Sequence, residues 1–480
     1  MFKSRLARKS ARFIPVFVFL FYASLLAQKG PKEEFQFPPL NPIQMPKIEQ
    51  ITLKNGLRLF LVEDHNYPTI NIRARVYTGS IYEPAGKIGL ASITGSVLRT
   101  GGTKNITGDQ LDKELETMAA SIETYIGTNS GGISVSLLKD NLDRCLSLAA
   151  DILMNPVFSE DKIELAKVEM RSSISRRNDE VGGIADREFT KVIYGAAHPY
   201  ARQQEYADVE AITRADIIDF YDRYFHPNNM MLAVWGDFKT KEMADKIKKV
   251  FKDWQSRPVE LPPKPEVRYE NRYSVYYIDK PDVNQSNILL GHLGGLMNNP
   301  DYPALTVMNF ILSWDRMFKK IRTDEGLAYS VWGYYGSNYD YPGVFSVGAQ
   351  TKSQSTVYAI ELMVKEMKRI TGEEVTDEEL KKAKDQYLNS FVFKFDSQAK
   401  IINEMMTYTF FGYPVDFADR LKEKIEQVSK TDILQAAKKY LHPDQVRILV
   451  VGNQKEFDKP LSSLGEAEVI DITIPPPPGK

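Results

Sequence analysis

The sequence is poor in the residue types that mark most catalytic and redox sites. It holds a single cysteine, Cys145, so no disulfide can form within the chain. That thiol lies in NLDRCLSLAADIL, where Leu142, Cys145, Ala149 and Ile152 share one helical face, and it reads as a small core residue. Histidine is nearly as scarce. His65, His198, His226, His292 and His442 are dispersed, which excludes an i,i+4 histidine pair and a histidine-rich metal cluster. There is no Walker loop, no dinucleotide fingerprint and no nucleophile elbow.

Charge of one sign is also missing, with 62 Lys+Arg against 63 Asp+Glu. Residues 1–27 contribute five basic side chains and no acid, so without them the net charge moves from −1 to −6. A mildly acidic protein of this kind disfavours nucleic acid and anionic lipid as partners. The only apolar run that suggests a membrane is Phe13–Ala27, shorter than the ~20 residues of a spanning helix. Basic residues precede it and Gln28-Lys29-Gly30 follows, which is the form of a secretory signal. Residues 1–27 therefore predict export to the periplasm or another extracytoplasmic space, with no stable membrane span after cleavage; Leu25 at the −3 position, where a small residue is preferred, leaves an uncleaved anchor as the alternative.

What is present is a globular composition and an internal repeat. Hydrophobic residues make up 43% and charged residues 26%, enough apolar surface for large cores over roughly two to four domains. VEAITRADIIDFYDRYFHPNNMMLAVWG (209–236) returns as IEQVSKTDILQAAKKYLHPDQVRILVVG (425–452) at a constant displacement of 216. Asp216-Ile217 meets Asp432-Ile433, His226-Pro227 meets His442-Pro443, and Gly236 meets Gly452. Each copy reads as a helix broken at His-Pro and followed by an apolar strand, with the histidine as a satisfied cap or core residue. A period this long indicates a duplicated domain. Four prolines in SRPVELPPKPEVRYE mark the connector. The organisation expected is a lead at 28–44, a first domain at 45–255, a linker at 256–266 and a second domain at 267–480.

In the first half, Leu57–Val62 and Asn71–Tyr77 read as strands and suggest an antiparallel pair. Ile88–Leu98 is helical by its spacing of Leu90, Ile93 and Val97, and Thr107 with Gln110 forms a capping box. Ser121–Ile126 and Ile133–Leu138 alternate around Asn129-Ser130-Gly131-Gly132, a hairpin pattern. The fold class predicted is α+β, with two tandem homologous domains, each a mainly antiparallel sheet covered by helices.

The stretch IGLASITGSVL (Ile88–Leu98) followed by Gly101-Gly102-Thr103 resembles the insulinase/pitrilysin family of zinc peptidases, in particular half-size members related to mitochondrial processing peptidase. LKNGLRLFLVEDH (53–65), YGAAHPYAR (194–202) and IRTDEGLAYSV (321–331) match in the same order along nearly the whole mature chain. The resemblance implies two similar α+β domains forming half of a clamshell. In active members Gly-Leu-Ala leads into His-x-x-Glu-His, whose histidines hold zinc and whose glutamate activates water. Here those positions are Ser92, Gly95 and Ser96. Glu169 stands where the family's distant glutamate ligand is expected, and alone it cannot make a three-ligand site. The resemblance therefore implies no metal and no cofactor in this chain.

Family members that work in pairs divide the zinc motif and an Arg/Tyr pair between two chains, and Arg322 and Tyr329 match that pair. The helix through Phe310–Arg322 should end near Gly326, with Tyr329 opening a strand, a corner that can aim both side chains into one cavity. The family's glycine- and serine-rich turn before this helix is replaced by Ile311-Leu312-Ser313-Trp314-Asp315-Arg316. The aromatic run Trp332, Tyr334, Tyr335, Tyr339 and Tyr341 reads as strand packing. The partner implied is a homologous zinc-bearing subunit with His-x-x-Glu-His, and the ligand a peptide. The alternative is a non-enzymatic scaffold or binding protein on the same fold.

Overall fold

The repeat found in the sequence is realised as two copies of one sheet-and-helix arrangement. The computed structural model describes residues 45–479, so the signal at 1–27 and the lead at 28–44 lie outside the described residues. From Met45 onward the chain packs as one compact unit. The first half runs β1 (Glu49–Thr52), β2 (Arg58–Glu63), β3 (Thr69–Val76), α1 (Leu90–Thr100), α2 (Gly108–Thr117), β4 (Ser121–Ile126), β5 (Gly131–Leu138) and α3 (Leu142–Met154). It continues through α4 (Glu160–Ser175), α5 (Val181–Tyr194), α6 (Tyr206–Ala211), α7 (Arg214–Tyr224), β6 (Met230–Gly236) and α8 (Thr240–Val250). The second half runs β7 (Ser274–Asp279), β8 (Gln285–Leu293), β9 (Gly295–Leu296), α9 (Tyr302–Phe310), β10 (Ala328–Tyr335), β11 (Ser337–Asn338) and β12 (Val344–Lys352). It closes with α10 (Thr356–Gly372), α11 (Asp377–Phe391), α12 (Gln398–Phe411), α13 (Phe417–Gln427), α14 (Lys430–Tyr440), β13 (Arg447–Gly452) and β14 (Ala467–Val469).

The first sheet has the order β1-β2-β6-β3-β5-β4, the second β10-β12-β8-β13-β7-β14. The antiparallel pairing suggested for Leu57–Val62 with Asn71–Tyr77 does not occur. Strand β6 lies between them, parallel to β2 and antiparallel to β3. The reason is composition: MMLAVWG is apolar on both faces and buried along almost its whole length, so it takes the centre of the sheet. The second sheet repeats this, with β13 parallel to β7 and antiparallel to β8. The hairpin β4–β5 and the Thr107–Gln110 capping box form where the sequence places them.

Each sheet has one face on its own helices and part of the other on a helix from the opposite half. In the first half Ile70, Ile72, Ala74 and Val76 of β3 point into a core with Leu90, Ile93, Val97 and the buried Cys145. On the reverse face, Phe60, Val62, Met231 and Ala233 meet Ile402, Met406 and Phe410 of α12. Reciprocally, Ile184, Ala185, Phe189 and Ile193 of α5 lie on Tyr276, Ile278, Leu289 and Leu449 of the second sheet. Arg447 fixes this contact by donating to the Val192 and Ile193 carbonyls at 2.5 and 3.0 Å, the C-terminal end of α5 where a cation is favoured.

Candidate functional site

Helix α1 carries Ser92, Gly95 and Ser96, the positions that the resemblance sets against the family's metal motif, and its burial pattern decides what they can do. Leu90, Ala91, Ile93, Thr94, Val97 and Leu98 are buried, whereas Ser92 and Ser96 are exposed. The helix starts at Gly89, which adopts φ +104°, a backbone that favours glycine. Its first amides are held by Glu83, whose carboxylate accepts from Gly89 N at 3.1 Å and Ala91 N at 2.7 Å. Burial pushes the Glu83 carboxyl above its ordinary value, while the two amides oppose this by favouring the charged form. Arg202 stands 3.8 Å from that carboxylate and donates to the Ser80 and Glu83 carbonyls. Glu83 was not legible from the sequence because it lies outside the helix it caps.

Gly95 is the tightest point of the helix. Thr124 Oγ1 of β4 donates to the Gly95 carbonyl at 2.6 Å. A Cβ at position 95 would sit 2.8 Å from the Tyr125 carbonyl carbon and nearer still to the Ile126 nitrogen, both backbone atoms. A glutamate therefore has no room there in this packing. Glu169 is exposed on α4 and makes no hydrogen bond or ion pair among the described residues. The family's zinc does not fit this set: two exposed serine hydroxyls, a glycine and one free carboxylate are not the nitrogen and carboxylate donors such an ion takes. No group of three His, Cys, Asp or Glu suited to a metal ion occurs among the described residues.

His226, His292 and His442 are structural in their contacts. His226 is buried with Nε2 2.7 Å from the Asp222 carbonyl. His442 donates its backbone N–H to Nε2 of His292 at 3.2 Å.

Arg322 and Tyr329 come together, but on an open surface of this chain rather than in a cavity. Helix α9 continues without a turn into a π-helix, Ile311–Asp324, the segment that departs from the family's glycine- and serine-rich turn. Such i→i+5 helices are rare and usually confined to one turn at functional sites. It ends at Gly326, φ +65°, and β10 follows. The Arg322 guanidinium stacks between two rings, 4.8 Å from the Phe318 centroid and 5.2 Å from that of Tyr329. Trp314 adds a tilted ring contact, 5.1 Å from Phe318 at an interplanar angle of 53°. Tyr329 is 79% exposed. Neither the Arg322 N–H groups nor the Tyr329 hydroxyl has a hydrogen-bond partner among the described residues, so both are free to donate. The segment is anchored from beneath by Arg316, 2% exposed, whose Nη1 and Nη2 meet Glu379 Oε1 and Oε2 at 3.0 and 3.2 Å. Of the aromatic run, Trp332 packs on the α5 contact, Tyr335 is buried, Tyr339 and Tyr341 stack on Phe411 and Tyr200, and Tyr334 remains half exposed.

Two duplicated α+β halves with this helix at the first and an Arg/Tyr corner at the second define an insulinase-type chain of half size. Residues 58–195 match the family model described as insulinase (peptidase family M16), and residues 211–387 match the one described as peptidase M16 inactive domain. The protein belongs to this family. It is 23% identical over 401 residues to the non-peptidase homolog YmxG of Helicobacter pylori, covering 82% of this chain and 91% of the relative. It is 24% identical over 437 residues to a probable mitochondrial-processing peptidase subunit beta of Arabidopsis thaliana, covering 85% and 79%. Its fold is similar to the peptidase M16 inactive domain from Pseudomonas fluorescens, with a TM-score of 0.77 at 21% identity over 86% of this chain and 99% of that one.

Proposed function

We propose that this protein is the zinc-less subunit of an exported, heterodimeric insulinase-type peptidase. A partner chain with His-x-x-Glu-His supplies the metal and the general base, and this chain supplies Arg322 and Tyr329. The observation that carries the reading is Gly95: the helix that should hold the base is pressed onto the β4 backbone, with only Ser92 and Ser96 facing out. The match to an inactive-domain model and the similarity to a relative named a non-peptidase homolog support the same side.

In the complex, Arg322 and Tyr329 donate to the scissile carbonyl and to the oxyanion that forms from it. Cation–π contact with Phe318 and Tyr329 holds the guanidinium, and its N–H groups, which have no hydrogen-bond partner among the described residues, are available for this. The peptide lies as an extended strand along a sheet edge. The alternative, a non-enzymatic scaffold, is favoured by one feature, the exposure of Tyr329 in the single chain.

The test is co-purification of the native complex, followed by metal analysis of each subunit and peptidase assays. The proposal expects zinc and activity only with the partner present, and a loss of about 100-fold or more in kcat for Arg322→Ala or Tyr329→Phe, comparable to losing an oxyanion donor. Unchanged turnover in both variants would leave the scaffold reading standing.

A further inference from the structure

On the face of the first sheet turned away from its own helices, α12 covers β2 and β6, and the surface beyond β3 opens. Arg73 and Arg75 stand at that boundary, on alternate positions of β3 and therefore on the same face. Most partly buried arginines of this protein have a carboxylate or a set of carbonyls: Arg316 has Glu379, Arg177 has Glu205, and Arg447 has the end of α5. Arg73 and Arg75 have neither. Arg73 Nη1 donates to Asn403 Oδ1 at 3.0 Å, and Arg75 Nη1 to Thr407 Oγ1 at 2.9 Å, both neutral acceptors. Arg75 Nε is buried and has no acceptor among the described residues.

Along the cross-strand rows, Arg75 is followed by Gly132 and the exposed Tyr125, and Arg73 by Ser134 and Glu123. Glu123 is two strands away, about 10 Å at the usual strand spacing, and is already shared with Arg99 at 3.4 Å. Burial pulls the Arg75 guanidinium below its ordinary value and the like charge of Arg73 adds to this, while Tyr125, which hydrogen-bonds to Arg75, opposes it, and the guanidinium carbon lies 5.4 Å from the Phe410 ring centroid. Compensation of the α12 dipole accounts for little of Arg73, because Asn403 is in the first half of Gln398–Phe411, away from the carbonyl end, whereas Thr407, the acceptor of Arg75, is nearer that end.

We infer that Arg73 and Arg75 form a carboxylate-recognition point for the bound peptide, so that this subunit selects chains bearing an acidic group. Gly132 is buried between Arg75 and Tyr125, which hydrogen-bond to each other, whereas Ser134 in the Arg73 row is only half-buried, so a carboxylate can lie over β5 at Ser134 and take N–H donors from Arg73 and from the adjoining Arg75. The inference rests on the reading of this protein as a peptide-binding subunit.

The experiment measures binding of fluorescent extended peptides to the purified full chain by anisotropy. One series carries an internal Asp or its Asn isostere with an amidated C-terminus. The other is neutral, with a free or an amidated C-terminus. Tighter binding of the Asp peptide, by about tenfold, identifies a side-chain carboxylate as the group read; tighter binding of the free acid identifies the chain terminus. Either preference should vanish in Arg73→Gln/Arg75→Gln while the neutral amidated peptide binds as before, and should persist in Arg75→Lys with a steeper salt dependence. Circular dichroism and thermal midpoints confirm that each variant is folded. Equal affinity for acid and amide in both series, with peptide still bound, overturns this inference and leaves the functional reading intact. Failure of every peptide to bind overturns the functional reading instead.

Discussion

Replacing Gly95 by alanine probes the contact that excludes the family's general base. The added methyl group would lie under 3 Å from two backbone atoms of β4, Tyr125 C and Ile126 N, which cannot rotate away as a side chain would. Either α1 lifts, breaking the 2.6 Å bond from Thr124 to the Gly95 carbonyl, or β4 bends. Overpacking of this kind costs about 1–3 kcal/mol. Two backbone contacts this close place the cost at the upper end, about 3 kcal/mol, and alanine regains about 1 kcal/mol of helix propensity over glycine, so the net loss is about 2 kcal/mol. For a domain of a few hundred residues each kcal/mol lowers Tm by about 2–4 °C. Ser92→Ala and Ser96→Ala, on the exposed side of the same helix, should stay within about 0.5 kcal/mol of the parent. Urea unfolding monitored by circular dichroism measures all three. The same contact predicts that the triple variant Ser92→His/Gly95→Glu/Ser96→His does not acquire one zinc per folded chain. An alanine variant as stable as the parent, or a folded triple variant holding stoichiometric zinc, would refute the argument.

Arg316→Ala leaves the partly buried Glu379 carboxylate with only the Thr376 N–H and should cost about 3 kcal/mol, the low end for breaking a buried pair, whereas the apolar pair Arg316→Met/Glu379→Leu should recover most of it; equal loss in both, by urea unfolding, would contradict this. His292 is buried, donates from Nδ1 to the Leu293 carbonyl at 2.7 Å and accepts at Nε2, so it is held neutral and pushed down to about 4 by its burial. Because the unfolded chain takes up this proton from about pH 6.5 downward and the folded one resists it, the stabilisation is whole above pH 6.5 and fades toward pH 4, by about 3 kcal/mol. His292→Gln should remove that part of the pH dependence between pH 7.5 and 4, and an unchanged profile in unfolding titrations would exclude it.

The displacement of 216 read from two helix–strand segments reaches further than the residues that revealed it. It carries Arg58–Glu63 onto Ser274–Asp279 and Arg214–Tyr224 onto Lys430–Tyr440, so the duplication was legible because its capping and turn residues were kept. The place of β6 was not, since it pairs with strands far away in the chain, Arg58 with Met231 and Val76 with Met230, which leaves no local pattern. Nor was the exchange of α5 and α12 between halves: Ile184, Phe189 and Ile193 spell an apolar helix face without naming the sheet that receives it. At the site, the spacing of Ser92, Gly95 and Ser96 gave the shared helix, but only the approach of β4 shows why position 95 is a glycine. Arg73 and Arg75 read as the polar positions of an alternating strand, and only their neutral neighbours in space single them out.

The exchanged helices also bear on how a peptide could be enclosed. Opening the chain between its own halves would strip α5 from the second sheet and α12 from the first. Exposing Phe189, Ile193, Met406 and Phe410 alone would cost about 6–12 kcal/mol, at about 1.5–3 kcal/mol for each large apolar side chain. That already matches the whole stability of a typical domain, about 5–15 kcal/mol. A hinge between the halves is therefore too expensive to serve as a gate. On the reading proposed above, the free donors of Arg322 and Tyr329 and the strip beyond Arg73 and Arg75 are closed over by a surface from outside this chain, and the cost of a hinge is the physical ground for looking for that surface in a second subunit.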